Sequence, residues 1–239
     1  MRRCLPSTRA LLLGVLLVAA ATGCGPAPGE SSAAELLEKA VTAQGRLRSV
    51  QMSLDSDIDL EIPGDRRSIS MSYDGSYEEP DRWHLDIRSP GGRSEVIILG
   101  EKAYVKAAGS DTWAERRGDL MLEASSPDEL VSSKYLESAS SVELIDDAGK
   151  RHHLKLDLDM VEFSESFELG GLDPSSMENR KAVMELWINR DSMYIEKAAM
   201  SFSSGISPGV SGRIEMSMEV RFFEQNEPVS IEPPEGWLP

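Results

Sequence analysis

The sequence predicts an α+β domain: a wide, curved antiparallel β-sheet that wraps a few helices on its concave face. Three observations carry this reading. About ten segments alternate apolar and polar residues with period two. Most are joined by hairpin-length turns, which makes neighbouring strands antiparallel. Helical periodicity occurs in just two places, too few to cover so many strands evenly. A sheet this wide must curl or pack on something. Curling over its helices leaves an apolar concavity available to a ligand.

The first 23 residues read as an export signal. Arg2, Arg3 and Arg9 precede an apolar run from Ala10 to Ala21, and small residues lead to a cysteine in Ala21-Thr22-Gly23-Cys24. The run is too short to cross a hydrocarbon core, which needs about 20 residues. Its AATGC end resembles the lipobox of bacterial lipoproteins, with Ala21 where Leu is usual. That resemblance implies acylation of Cys24, palmitate being the usual kind of chain, and cleavage just before it. Ordinary signal cleavage with Cys24 incidental, or an uncleaved anchor, are the other readings. Residues 24–31, including Gly25-Pro-Ala-Pro-Gly-Glu-Ser31, form a tether, and 32–239 a single domain.

The mature chain would carry 22 basic against 41 acidic residues, a charge of −19 where the whole sequence has −16. That balance excludes nucleic acid as a partner. With Cys4 removed and Cys24 lipidated, no thiol remains for disulfides, metal binding or nucleophilic catalysis. An apolar core alone must hold the domain.

Ser32-Ala-Ala-Glu35 is a capping box opening a helix with Leu36, Leu37, Ala40, Val41 and Leu47 on one face. Period two then takes over. The even positions Val50, Met52, Leu54, Ile58, Leu60 and Ile62 are apolar, with Asp55, Asp57 and Asp59 between them. After the turn at Pro63-Gly64, odd positions carry Ile69, Met71, Tyr73 and Tyr77. Trp83, Leu85 and Ile87 follow, then the hairpin of 96–99 with 103–107, and Thr112–Glu115. Ser126-Pro127-Asp128-Glu129 starts a second helix. Further strands are predicted at 142–145, 154–160, 184–188, 194–202 and 214–222, with a long loop over 161–180.

Motifs suggestive of catalysis or metal binding dissolve on inspection. Gly205-Ile-Ser207-Pro-Gly209 fits G-x-S-x-G, but Pro208 has no N–H for an oxyanion hole. Asp55, Asp57 and Asp59 begin like a calcium loop, but Leu60 and Arg66 stand where Gly and Glu belong. They are the wet face of a strand. His152 and His153 are adjacent and point to opposite faces, and His84 faces water. Neither metal nor cofactor is expected, and no enzymatic activity.

The helix ELLEKAVTAQGRLRSV running into a long strand, the hairpin GEKAYVKAAGSDTWAER, the strand pair LWINRDSMYIEKAAM and the ending VSIEPPEGW together resemble the LolA-like and LppX/LprG-like bacterial lipoproteins. The resemblance covers nearly all of the mature chain. It implies an incomplete β-barrel holding helices in its concavity, and binding or carriage of acyl-chain lipids in the cell envelope. It implies no catalytic residues. The lipidated cysteine maps onto Cys24.

Ten methionines remain after the signal, and Met52, Met71, Met160, Met184, Met216 and Met218 share the apolar parity of their strands. Methionine suits surfaces that accept varied apolar partners. The residues expected to line a lipid cavity are Met52, Leu54, Ile69, Met71, Trp83, Leu85, Leu156, Met184, Leu186, Met216 and Met218, with Trp113 a further candidate. Ordinary core filling explains them equally well. The functional expectation is a monomeric lipoprotein, anchored on the extracytoplasmic side of the membrane through Cys24, that binds or carries a lipid or lipidated molecule. The alternative is an interaction or sensor module with a closed core.

Overall fold

The computed structural model describes residues 31–117, 127, 138–147, 149–159, 177–206, 212–235 and 237. Its elements in chain order are α1 (Ala33–Gln44), β1 (Ser49–Ile62), β2 (Asp65–Glu78), β3 (Arg82–Ser89), β4 (Gly92–Leu99), β5 (Lys102–Lys106), β6 (Ala114–Arg117), β7 (Ala139–Asp146), β8 (Arg151–Leu158), β9 (Met177–Asn189), β10 (Ile195–Ile206) and β11 (Gly212–Phe223). Eleven strands make one antiparallel sheet, ordered β6-β5-β4-β3-β2-β1-β11-β10-β9-β8-β7. Two meanders, β1 to β6 and β7 to β11, are sewn together where β1 pairs with β11, from Gln51 opposite Phe223 to Glu61 opposite Arg213. Strands β6 and β7 are the edges, so the curved sheet stays open.

The helix forms where the capping box predicts it. Ser32 Oγ accepts from the Glu35 N–H at 3.2 Å, and Glu35 Oε2 accepts from the Ser32 N–H at 3.0 Å. Leu36, Leu37 and Ala40 are buried in a core with Val50, Met52, Tyr77, Trp83, Leu154 and Phe222. The sheet face toward α1 is called the inner face below.

Three details depart from the sequence reading. The strands number eleven among the described residues, where the sequence predicts about ten. Strand β9 begins at Met177, inside the stretch expected to be a loop over 161–180. A register shift between Ser203 and Gly205 lets β9 continue pairing with β10 there, and the irregularity breaks the alternation that periodicity relies on. Strand β10 runs to Ile206, so the G-x-S-x-G motif starts inside a strand, with Gly205 opposite Arg213. Cys24, Met160, residues 207–209 and the second predicted helix, apart from Pro127, lie outside the described residues.

The C-terminal segment adds a feature that periodicity cannot predict. It crosses the outer face, where Ile231 is buried with Ile97 and Tyr104, and Leu99, Trp113, Val229 and Trp237 pack around them. The rings of Tyr104 and Trp237 meet edge to face at 5.4 Å. Glu78 Oε2 accepts from the Ile231 N–H at 3.1 Å, which fixes the strap to β2. Trp113 therefore packs in this outer cluster rather than toward the inner face, correcting its place among the cavity candidates.

Candidate functional site

Directly paired residues in an antiparallel sheet share a face. The registers therefore give the composition of the inner face row by row. One row runs Leu156, Met184, Met200, Met218, Ser56, Met71, across β8, β9, β10, β11, β1 and β2. The next toward the β1–β2 turn is Ala182, Phe202, Met216, Ile58, Ile69. On the other side lie Leu154, Leu186, Ala198, Val220, Leu54, Tyr73, Ile87, and beyond them Phe222, Met52, Gly75, Leu85, Val96. One row further still, Trp83 faces Tyr77, with Val50 and Ile98 on either side. The eleven residues predicted to line a cavity thus all stand on one face.

They do not share one environment. Leu156, Met184, Leu186, Trp83, Leu85, Met52 and Met216 are buried. Leu54, Met71 and Met218 are half-buried, and Ile69 is 44% exposed. Ile58, Leu60, Tyr73 and Ile87 are half-buried too. The inner face is therefore core over β8 to β10. It opens into an accessible apolar strip on β1, β2 and β3, flanked by Met218 of β11. Tyr73 donates its hydroxyl to Met71 Sδ at 3.7 Å, which hides the strip's one phenol O–H behind a thioether.

Met200 is part of the methionine row, yet the sequence reading passed over it. The available signal was its even parity with Ala198 and Phe202. Gln44 was missed as well: it is 1% exposed on the apolar face of α1. Spacing pointed to that position, because Gln44 follows Ala40 by four residues.

The described polar candidates lie on the outer face, except His152, which has the inner-face parity of Leu154 on β8. Asp57 Oδ1 accepts from Ser70 Oγ at 2.5 Å, and Asp59 accepts from Ser68, so two of the three acids join a cross-strand ladder. His84 bonds Glu95 at 2.8 Å, His153 bonds Glu185 at 2.7 Å, and His152, on strand β8 opposite Ile188, bonds Asp147. His153 also stacks on Trp187, with ring centres 4.4 Å apart, and Lys197 Nζ lies 4.3 Å from the Trp187 ring centre. The hydrogen bond from Lys197 to Glu219, helped by charge attraction to Lys197 and Arg221, holds the Glu219 carboxyl below its ordinary range against the opposing effect of burial. A cleft of about 570 Å³ is lined mainly by outer-face groups, among them Asp55, Asp57, Ser72 and Arg88. The apolar strip is thus the part of the described surface that departs most from a solvated sheet.

No family model and no curated protein matches the chain. Among solved structures it is similar to the lipoprotein LppX of Mycobacterium tuberculosis, at 17% identity, covering 82% of this chain and 96% of that one, with a TM-score of 0.51. Two weaker likenesses are a LolA superfamily protein from Nitrosomonas europaea (12% identity, 80% and 94% covered, TM-score 0.30) and a putative outer membrane lipoprotein-sorting protein domain from Vibrio parahaemolyticus (12% identity, 81% and 94% covered, TM-score 0.26). The likeness to LppX establishes the fold alone, the open, curved antiparallel sheet read from the sequence.

Proposed function

We propose that this chain is an exported lipoprotein, anchored through Cys24 on the extracytoplasmic side of the membrane, that binds or carries a lipid or lipidated molecule on its inner sheet face. The observation that supports this most is the accessible strip of Leu54, Ile58, Ile69, Met71, Ile87 and Met218. It continues a buried core without a break. An acyl chain laid on it removes apolar area from water, worth about 1 kcal/mol for each half-exposed side chain covered. Methionines at positions 71 and 218 let the surface adapt to chains of different shape. No step of this function calls for a catalytic group, and the protein acts as a monomer.

Two measurements test the proposal. Lipid extraction and mass spectrometry of protein purified from its native membranes should return a noncovalently bound lipid at a defined stoichiometry. A Cys24→Ser variant should lose the mass of the acyl anchor and leave the membrane fraction. The second reading, an interaction module with a closed core, draws support from Leu154, Leu156 and Leu186, each 0% exposed. It predicts a protein that purifies without lipid and takes none up.

A further inference from the structure

We infer that the ligand is an amphiphile with an anionic headgroup, a carboxylate or a phosphate, received by Arg67 at the open end of the apolar strip. This rests on the lipid-binding reading above and adds to it the class of headgroup.

The chain has 41 acids against 25 basic residues, so a random face should be negative. The inner face is not. Among strand positions outside 177–180, whose registers place them on that face, the acid is Asp65 and the bases are Arg67, Arg116 and His152. The strands' other acids fall on the outer face, Asp55, Asp57, Asp59, Asp86, Glu95 and Glu185 among them. A face free of uncompensated carboxylates repels no anion.

Position comes next. Arg67 pairs with Leu60 and precedes Ile69 by two residues on the same strand and face. Same-face neighbours on a strand are about 7 Å apart. The apolar run Tyr73, Met71, Ile69 therefore ends in a guanidinium. That order, apolar track and then cation at the exposed end, matches an amphiphile's order of tail and headgroup.

Geometry completes the case. Asp65 Oδ2 accepts from Arg67 Nε at 2.8 Å, and the Arg67 side chain is nevertheless 71% exposed. The Nε contact steadies the guanidinium and leaves its Nη edge for a second acceptor. Two parallel N–H donors on that edge fit a carboxylate or phosphate bidentately.

The test uses three fluorescent probes with one acyl chain in common: the free fatty acid, the lysophosphatidylglycerol and the neutral monoacylglycerol. The purified full chain should bind both anionic probes about tenfold more tightly than the neutral one, the difference a charge-assisted hydrogen bond supplies. Arg67→Gln should erase that preference and leave monoacylglycerol binding unchanged. Arg116→Gln, on edge strand β6, should leave the preference intact. Equal affinity of the native chain for all three probes, or a preference that survives Arg67→Gln, overturns the inference while lipid binding itself stands. Failure of every probe to bind overturns both readings.

Discussion

Gln44, in the last turn of α1, accepts the backbone N–H of Ile195 through its side-chain oxygen at 3.2 Å, although 151 residues separate them. Ile195 opens β10 beside a register shift between Ile195 and Lys197 in the pairing with β9. Its carbonyl accepts from Gln225 Nε2 at 2.9 Å. The backbone of one residue is thus held on both sides by two glutamines, one before the sheet in sequence and one after it. Replacing Gln44 by Ala leaves a buried N–H unpaired and opens a gap under the helix. The expected cost is about 1–3 kcal/mol, read as a lower urea midpoint with an unchanged slope. A Gln44, Gln225 double-mutant cycle should show coupling, because both act on the same residue.

The fold was legible to the degree that its strands alternate cleanly. Val50 to Ile62 and Ile214 to Phe222 read directly, because one face of each meets the core and the other water. The start of β9 was hidden by the register shift near Gly205, and Met200 by lying in a strand of small residues. No local pattern announces that β1 pairs with β11, which is a property of chain topology. Face could be read residue by residue, but exposure could not. Ile69 and Leu85 share parity, yet one is 44% and the other 3% exposed, because α1 and its core lie at one end of the sheet.

Gly75 is a second point of control over the inner face. It stands between Met52 of β1 and Leu85 of β3 in one row. A Cβ there would lie 2.6 Å from Leu85 Cδ2 and 3.0 Å from the His84 carbonyl oxygen. Leu85 can move only by disturbing a packed core. Gly75→Val should therefore cost about 1–3 kcal/mol, the usual penalty of overpacking, despite the better strand propensity of Val. Thermal unfolding of Gly75→Ala and Gly75→Val should show graded losses. A stabilised Gly75→Val would mean that the space over β2 is not filled by Leu85.

The strap across the outer face should matter to stability and not to ligand binding. Ile231 is 5% exposed between Ile97 and Tyr104. Ile231→Ala should cost about 2 kcal/mol or more, within the range for truncating a buried Ile. Near-ultraviolet circular dichroism should weaken as the Tyr104–Trp237 contact loosens. Lipid uptake, measured on the fraction still folded, should not change, because the strap and the strip lie on opposite faces.

Glu219 gives the protein a pH signature. Its folded-state carboxyl is held below the ordinary value by Lys197 and Arg221. A lowered folded pKa contributes stability that is complete above the unfolded pKa and disappears as pH falls through the folded one. Glu219→Gln should therefore destabilise the protein by no more than about 1 kcal/mol at pH 7, as partly solvated ion pairs do. The gap between the two proteins should close below the normal carboxylate range. Urea titrations at pH 7 and pH 3 measure both ends, and a gap that widened in acid would contradict the assignment.

Ile69 separates binding from folding more sharply than any other position on the inner face. It is 44% exposed, so a polar substitution there buries no charge and vacates no packed volume. It also lies in the row of Ile58 and Met216, at the end of the proposed apolar track next to Arg67. Ile69→Asp should leave the urea midpoint within about 0.5 kcal/mol of the native value. The same change would set a carboxylate against an acyl chain, where desolvating it costs several kcal/mol. Binding of a fluorescent fatty acid should then fall by at least about tenfold. Leu156→Asp is the contrasting case. Leu156 is 0% exposed, so that substitution should unfold the protein before ligand binding can be tested. Unchanged fatty-acid affinity in Ile69→Asp would place the ligand elsewhere on the molecule.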